Sequence, residues 1–116
     1  MEINNLFLNQ NSTLLSCSTN HGYRIFETFN FMLVSEENEY NDFLGALDIV
    51  IPYYESKLVF FVGSNDNLNF PSNHLVLWDD CKRKKLGIIM LKDKILNLKV
   101  TQHFLYIEIL NKVILK

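Results

Sequence analysis

The sequence predicts an all-β fold organised as WD-repeat-like β-propeller blades. Eleven short apolar runs recur roughly every ten residues with turn residues between them, a spacing of strands rather than helices. Grouped by four, the runs repeat with a period of about 40 to 45 residues, the signature of propeller blades. The one stretch with helix-compatible spacing, 35–44, carries a Glu-Glu-Asn-Glu-Tyr-Asn core and reads as a solvated acidic loop.

The first group comprises 5–9, 13–18, 23–28 and 30–34. Its third run alternates as a half-buried strand does, with Arg24 opposite in facing to Tyr23 and Ile25. Thr19-Asn20-His21-Gly22 supplies a tight connection, with Gly22 where the chain needs positive φ. The second group comprises 47–53, 57–63, 74–79 and 85–91. Its Leu58-Val59-Phe60-Phe61-Val62 run is apolar on both faces and belongs inside a stack of sheets. Residues 63–73 form a long polar excursion. The third group, 95–100, 104–110 and 112–115, is joined by short links at 92–94 and 101–102. The expected organisation is one partial propeller over 1–116. Blade 1 covers about 5–34, blade 2 about 47–91 and the start of blade 3 about 95–116, so about two and a half blades of an expected seven.

Composition narrows the function classes. The chain has 116 residues, 48% hydrophobic, 13% aromatic and 21% charged, with a formal net charge of −2. That is one domain at most, too apolar for disorder. No apolar run approaches the ~18 to 20 residues of a membrane span. Met1-Glu2-Ile3-Asn4-Asn5 lacks the basic and apolar regions of a signal peptide, so a cytoplasmic protein with Cys17 and Cys81 as reduced thiols is expected. Charge is unevenly spread. Residues 1–80 hold two basic and eleven acidic side chains, and 81–116 hold nine basic and two acidic. Either the two halves pack together and offset one another, or a basic face meets an anionic partner. The total leaves no chain-wide positive field for nucleic acid.

Catalytic and cofactor chemistry finds no footing. His21, His74, His103, Cys17 and Cys81 show neither Cys-x-x-Cys nor His-x-x-x-His spacing, so no metal site is expected. There is no Gly-x-Ser-x-Gly turn and no glycine-rich loop opening a helix. Asp79 and Asp80, as neighbours on a strand, point to opposite faces and read as a strand end with a capped turn. The chain is read as no enzyme, without cofactors. Lys82, Arg83, Lys84 and Lys85 read as a solvated hairpin tip or as a contact to an anionic surface, where each charge contributes about 1 kcal/mol. Trp78 reads as packing between blades.

Four motifs in order resemble one family. Leu8-Asn9-Gln10-Asn11 resembles a Phe-Asn-Gln-Asp turn, and Gly22-Tyr23-Arg24-Ile25-Phe26 a Gly-Tyr/Phe-Arg-Ile/Val-Phe/Tyr strand. Pro71-Ser72-Asn73-His74-Leu75-Val76-Leu77-Trp78-Asp79-Asp80-Cys81-Lys82-Arg83-Lys84-Lys85 resembles a Pro-x-Lys-x-x-Ile-Trp-Asp-Asp-x-Lys region, and Lys94-Ile95-Leu96-Asn97 with 104–114 resembles the hairpin that opens a third blade. Together they resemble the N-terminal portion of the PROPPIN family, WIPI-type phosphoinositide-binding propellers of seven blades. Asn11 stands where the family carries Asp.

The resemblance implies a non-catalytic scaffold of autophagy. It would be cytoplasmic and peripheral to autophagic or endosomal membranes, recognising phosphatidylinositol 3-phosphate and recruiting a lipid-transfer protein. Asn9 and Asn11 are then possible partner-binding residues, against a reading in which their side chains only form the turn. The family's lipid site centres on a Phe-Arg-Arg-Gly run, and this sequence has no adjacent arginines, so weak or absent lipid binding is expected. The alternative is a small stand-alone all-β protein-interaction module without lipid binding. A closed barrel or sandwich, with its end strands joined, would favour the alternative. Open sheets, with Val113-Ile114-Leu115 at an edge, would favour blades.

Overall fold

A computed structural model describes residues 3–37 and 44–116. The chain is all-β among these residues, with eleven strands in three antiparallel sheets. β1 (Ile3–Leu8), β2 (Leu14–Thr19), β3 (Gly22–Glu27) and β4 (Leu33–Glu37) form the first, paired in chain order. β5 (Leu47–Pro52), β6 (Leu58–Gly63), β7 (His74–Asp79) and β8 (Lys84–Met90) form the second in the same way. β9 (Asn97–Val100), β10 (Leu105–Ile109) and β11 (Lys112–Leu115) form the third. Among the described residues no strand ladder joins one sheet to another, so the sheets are blades and not the wall of a closed barrel.

Hydrophobic burial between sheets holds the blades together. The first core takes Leu14, Tyr23 and Ile25 from the first sheet, and Val50, Val59, Phe61, Val76 and Trp78 from the second. The second core takes Ile49, Ile51, Val62 and Leu75 from the second sheet, and Leu98, Val100, Ile107 and Ile109 from the third. The middle sheet is therefore buried on both faces, as its doubly apolar runs require. A bulge between Leu47 and Ile49 breaks the two-residue alternation and turns Leu47 into the first core. In the third sheet burial alternates along β9 and β10, leaving Lys99, Tyr106 and Glu108 on the exposed face.

Polar side chains join the first two sheets. β5 is the end strand of its sheet, and its carbonyls accept from the first sheet. Asn4 Nδ2 donates to Leu47 O (3.0 Å), Ser18 Oγ to Asp48 O (3.0 Å) and Ser16 Oγ to Val50 O. Buried backbone acceptors need such partners. Alternate polar residues on β2 supply them without a ladder.

The structure corrects two expectations, at 30–34 and 35–44, and bears out a third, the loop at 63–73. The strand expected over 30–34 occupies Leu33–Glu37, because the chain first turns through 27–32. The Phe31 amide donates to Glu27 O (2.8 Å), and its ring stacks on Phe26 at 4.7 Å. The loop expected over 35–44 gives up both ends. Ser35 to Glu37 are strand and Leu44 is fully buried, while 38–43 lie outside the described residues. The polar excursion at 63–73 is anchored from within. Asn67 Oδ1 accepts from the amides of Asn69 and Phe70, its Nδ2 donates to Ala46 O (2.8 Å), and Phe70 packs edge-on to Phe61. Gly63 permits that fold-back, since a Cβ there would meet Phe70 O at 1.8 Å. Gly22 has φ +99°, as its turn demands.

Both cysteines are free, Cys17 buried and Cys81 exposed. Burial pushes the Cys17 thiol up, against a smaller opposing pull from Arg24. Folding lifts this pKa, so alkali favours the unfolded chain and stability declines as pH climbs above about 8.5. Maleimide at pH 7 is expected to label Cys81 promptly and Cys17 only on unfolding. Two equally fast thiols in mass spectra of the native chain would contradict the buried position.

Candidate functional site

The first two sheets meet in a groove on the side of the turns that follow β1 and β5. Leu14, Ile25, Val34, Pro52 and Val59 line it, with Glu27, Glu55, Lys57 and Asp80 as its charged groups. Its volume is about 420 Å³, large enough for one or two side chains of a bound segment.

Asn9 and Asn11 form the turn beside this groove. Asn9 is buried. Its Oδ1 accepts from the Leu14 amide (3.0 Å), and its Nδ2 donates to Thr13 Oγ1 (3.1 Å) and Tyr54 O (2.9 Å). It closes its own turn and ties that turn to the next blade. Asn11 is exposed. Its Oδ1 accepts from Thr13 Oγ1 (2.7 Å), and its Nδ2 donates to Glu55 Oε1 at 3.2 Å. Between them, Gln10 Oε1 accepts from the Tyr54 amide (2.6 Å). Asn11 and Glu55 are thus the exposed, polar part of the constellation.

Asp80 was not legible as a seam residue. Its carboxylate accepts from the Tyr23 hydroxyl and from Ser35 Oγ (2.6 Å), two residues of the first sheet. Arg83 Nη1 lies 3.6 Å from Asp80 Oδ1, and Arg83 Nη2 donates to Glu36 O (3.0 Å). The turn after β7 therefore clamps β4. Asp79 caps that turn, as read from the sequence. Its Oδ1 accepts from the Lys82 (3.0 Å) and Cys81 (2.9 Å) amides, which with nearby lysines hold its carboxyl below the usual range.

Lys82, Arg83, Lys84 and Lys85 are all exposed at this hairpin, with Arg83 directed into the clamp. The structure brings Asn9 and Asn11 together with Glu55 beside the groove, and sets the basic run on the turn beyond Asp80. Among the described residues no three His, Cys, Asp or Glu side chains converge on one point. No described helix is long and apolar enough to cross a membrane.

The same fold recurs in solved structures. Hsv2p of Kluyveromyces lactis superposes on 99% of this chain and 33% of its own, with TM-score 0.81 at 15% identity. Hsv2 of Kluyveromyces marxianus superposes on 97% of this chain and 34% of its own, with TM-score 0.80 at 17% identity. The chain has a PROPPIN-like propeller fold. In sequence it is 33% identical over 82 residues to SVP1-like protein 2 of Schizosaccharomyces pombe, covering 71% of this chain and 22% of that protein. It is 23% identical over 111 residues to SVP1-like protein 2 of Pichia angusta, covering 96% of this chain and 30% of that protein. No family model matches. The chain thus spans about a quarter of its curated relatives' length.

Proposed function

We propose that this chain works as part of a non-catalytic PROPPIN-type scaffold, a phosphoinositide effector of autophagy whose contribution here is partner recruitment. The observation that carries this reading is the groove between the first two sheets, in a fold shared with Hsv2 over 97% of the chain. Its apolar floor suits a side chain of an extended segment, and Glu27, Glu55 and Lys57 offer polar groups that fix orientation, with Asn11 beside it bonded to Glu55. The partner class is an autophagy lipid-transfer protein, met at autophagic or endosomal membranes from the cytoplasm. Recognition of phosphatidylinositol 3-phosphate belongs to the scaffold as a whole. The only arginines of this chain are Arg24 and Arg83, and each already faces a carboxylate.

Two measurements test the reading. In co-precipitation with the lipid-transfer partner, Asn11→Ala with Glu55→Ala is expected to lose recovery while circular dichroism stays unchanged. Undiminished recovery would overturn recruitment at this turn. In flotation with vesicles containing phosphatidylinositol 3-phosphate at physiological salt, the chain is expected to stay at the bottom. Headgroup-specific flotation that survives neutralising Lys82 to Lys85 would overturn the division of labour.

A further inference from the structure

β8 is the end strand of the second sheet, so alternate amides and carbonyls along it face away from β7. Three of its apolar side chains are exposed: Leu86 at 47%, Ile88 at 37% and Met90 at 68%. A bulge at Leu77/Trp78 makes Leu86 an extra residue and leaves 87–90 as the regular segment. Gly87 opens that segment. It is not in the left-handed region, and a Cβ built on it meets nothing within 4 Å. Among the described residues nothing packs so closely that it calls for glycine there, although glycine weakens a strand interior. A bare stretch of strand backbone is the place where an aromatic ring from a neighbouring strand lies flat.

Charge surrounds this segment on both sides. Lys84 and Lys85 precede it, Lys92 and Lys94 follow it, and all four are exposed. Asp93 is the one acidic residue between 81 and 107.

We propose that the free edge of β8 receives an extended acidic peptide as a fifth strand of the second sheet. The peptide's backbone pairs with 87–90, an aromatic side chain covers Gly87, and carboxylates at its two ends meet Lys84 and Lys85 on one side and Lys92 and Lys94 on the other. Backbone pairing supplies the affinity, and the alternate side chains and end charges supply the selectivity. The site is separate from the groove between the first two sheets and stands independently of partner recruitment there.

The probe is a fluorescein-labelled Glu-Asp-Tyr-Val-Tyr-Val-Asp-Glu peptide, followed by anisotropy with the full chain. Saturable binding at 50 mM salt is expected, weakening at least tenfold at 500 mM as the end charges are screened. Gly87→Ile is expected to weaken binding tenfold or more without lowering the melting temperature, because isoleucine suits an edge strand and fills only the open slot. A peptide N-methylated at alternate valines is expected to bind at least tenfold more weakly, since it loses the ladder donors. Amide exchange at Ile88 and Met90 should slow on binding. Equal affinity for Gly87→Ile, equal affinity of the methylated peptide, or no binding to the unaltered chain at 100 µM probe would each overturn the proposal.

Discussion

Trp78→Ala is expected to cost about 3 to 5 kcal/mol of folding free energy, the scale of a large aromatic removed from a core. Trp78 is 1% exposed on β7, facing the first core. Its ring lies 5.8 Å from that of Phe61 and 6.5 Å from that of Phe70, and Phe61 meets Phe70 edge-on at 5.0 Å. The three rings connect β6, β7 and the anchored 63–73 loop, so removing the largest leaves a cavity bordered by both strands and loop. Native domains are stable by about 5 to 15 kcal/mol, so about a fifth or more of the total is at stake. Urea unfolding followed by circular dichroism checks it, with Phe29→Ala, 94% exposed, as the reference that should change little. A loss below about 1 kcal/mol for Trp78→Ala would mean that this cluster does not hold β6, β7 and the loop together.

Asp80→Ala is expected to cost about 3 kcal/mol, from hydrogen bonds to a charged acceptor worth about 1.5 to 3 kcal/mol each. The carboxylate accepts hydrogen bonds from the Tyr23 hydroxyl on β3 and from Ser35 Oγ on β4, across the seam from its own sheet. Tyr23 is fully buried, so water cannot readily replace the lost acceptor. A double-mutant cycle gives the decisive reading. With Tyr23→Phe already present, Asp80→Ala should cost at least 1 kcal/mol less than it does alone. Additive costs would show that the two groups are not energetically joined.

The strands were legible because their physics is local. Alternation in Tyr23-Arg24-Ile25 and the doubly apolar Leu58-Val59-Phe60-Phe61-Val62 are fixed by which faces meet a neighbouring sheet, and both are visible in eleven or fewer residues. β4 slid by three residues because its start depends on Phe31 stacking on Phe26, a contact that no propensity encodes. Asn67 and Phe70 lie in a polar stretch, and only the folded-back loop puts them inside. Asp79 and Asp80 are chemically the same in sequence. One caps a turn, the other reaches the neighbouring blade, and the difference is which of them β4 passes. For the candidate site, Asn9 and Asn11 were found through a resembling turn, whereas Glu55 and Lys57 gave no signal of their own. Gly87 carried a signal, a glycine within an otherwise apolar strand, that becomes informative only once the space around it is seen to be open.

The joint between the first two sheets has a consequence for how such molecules change over time. Among the described residues each sheet keeps its ladders to itself, and at the first joint the side chains of Asn4, Ser16 and Ser18 fasten one sheet to the edge of the next. A gene segment encoding one such module can be duplicated, lost or exchanged without breaking any ladder in those that remain. The lineage thereby acquires freedom in copy number, while the few fastening side chains at each joint bear the selection for fit.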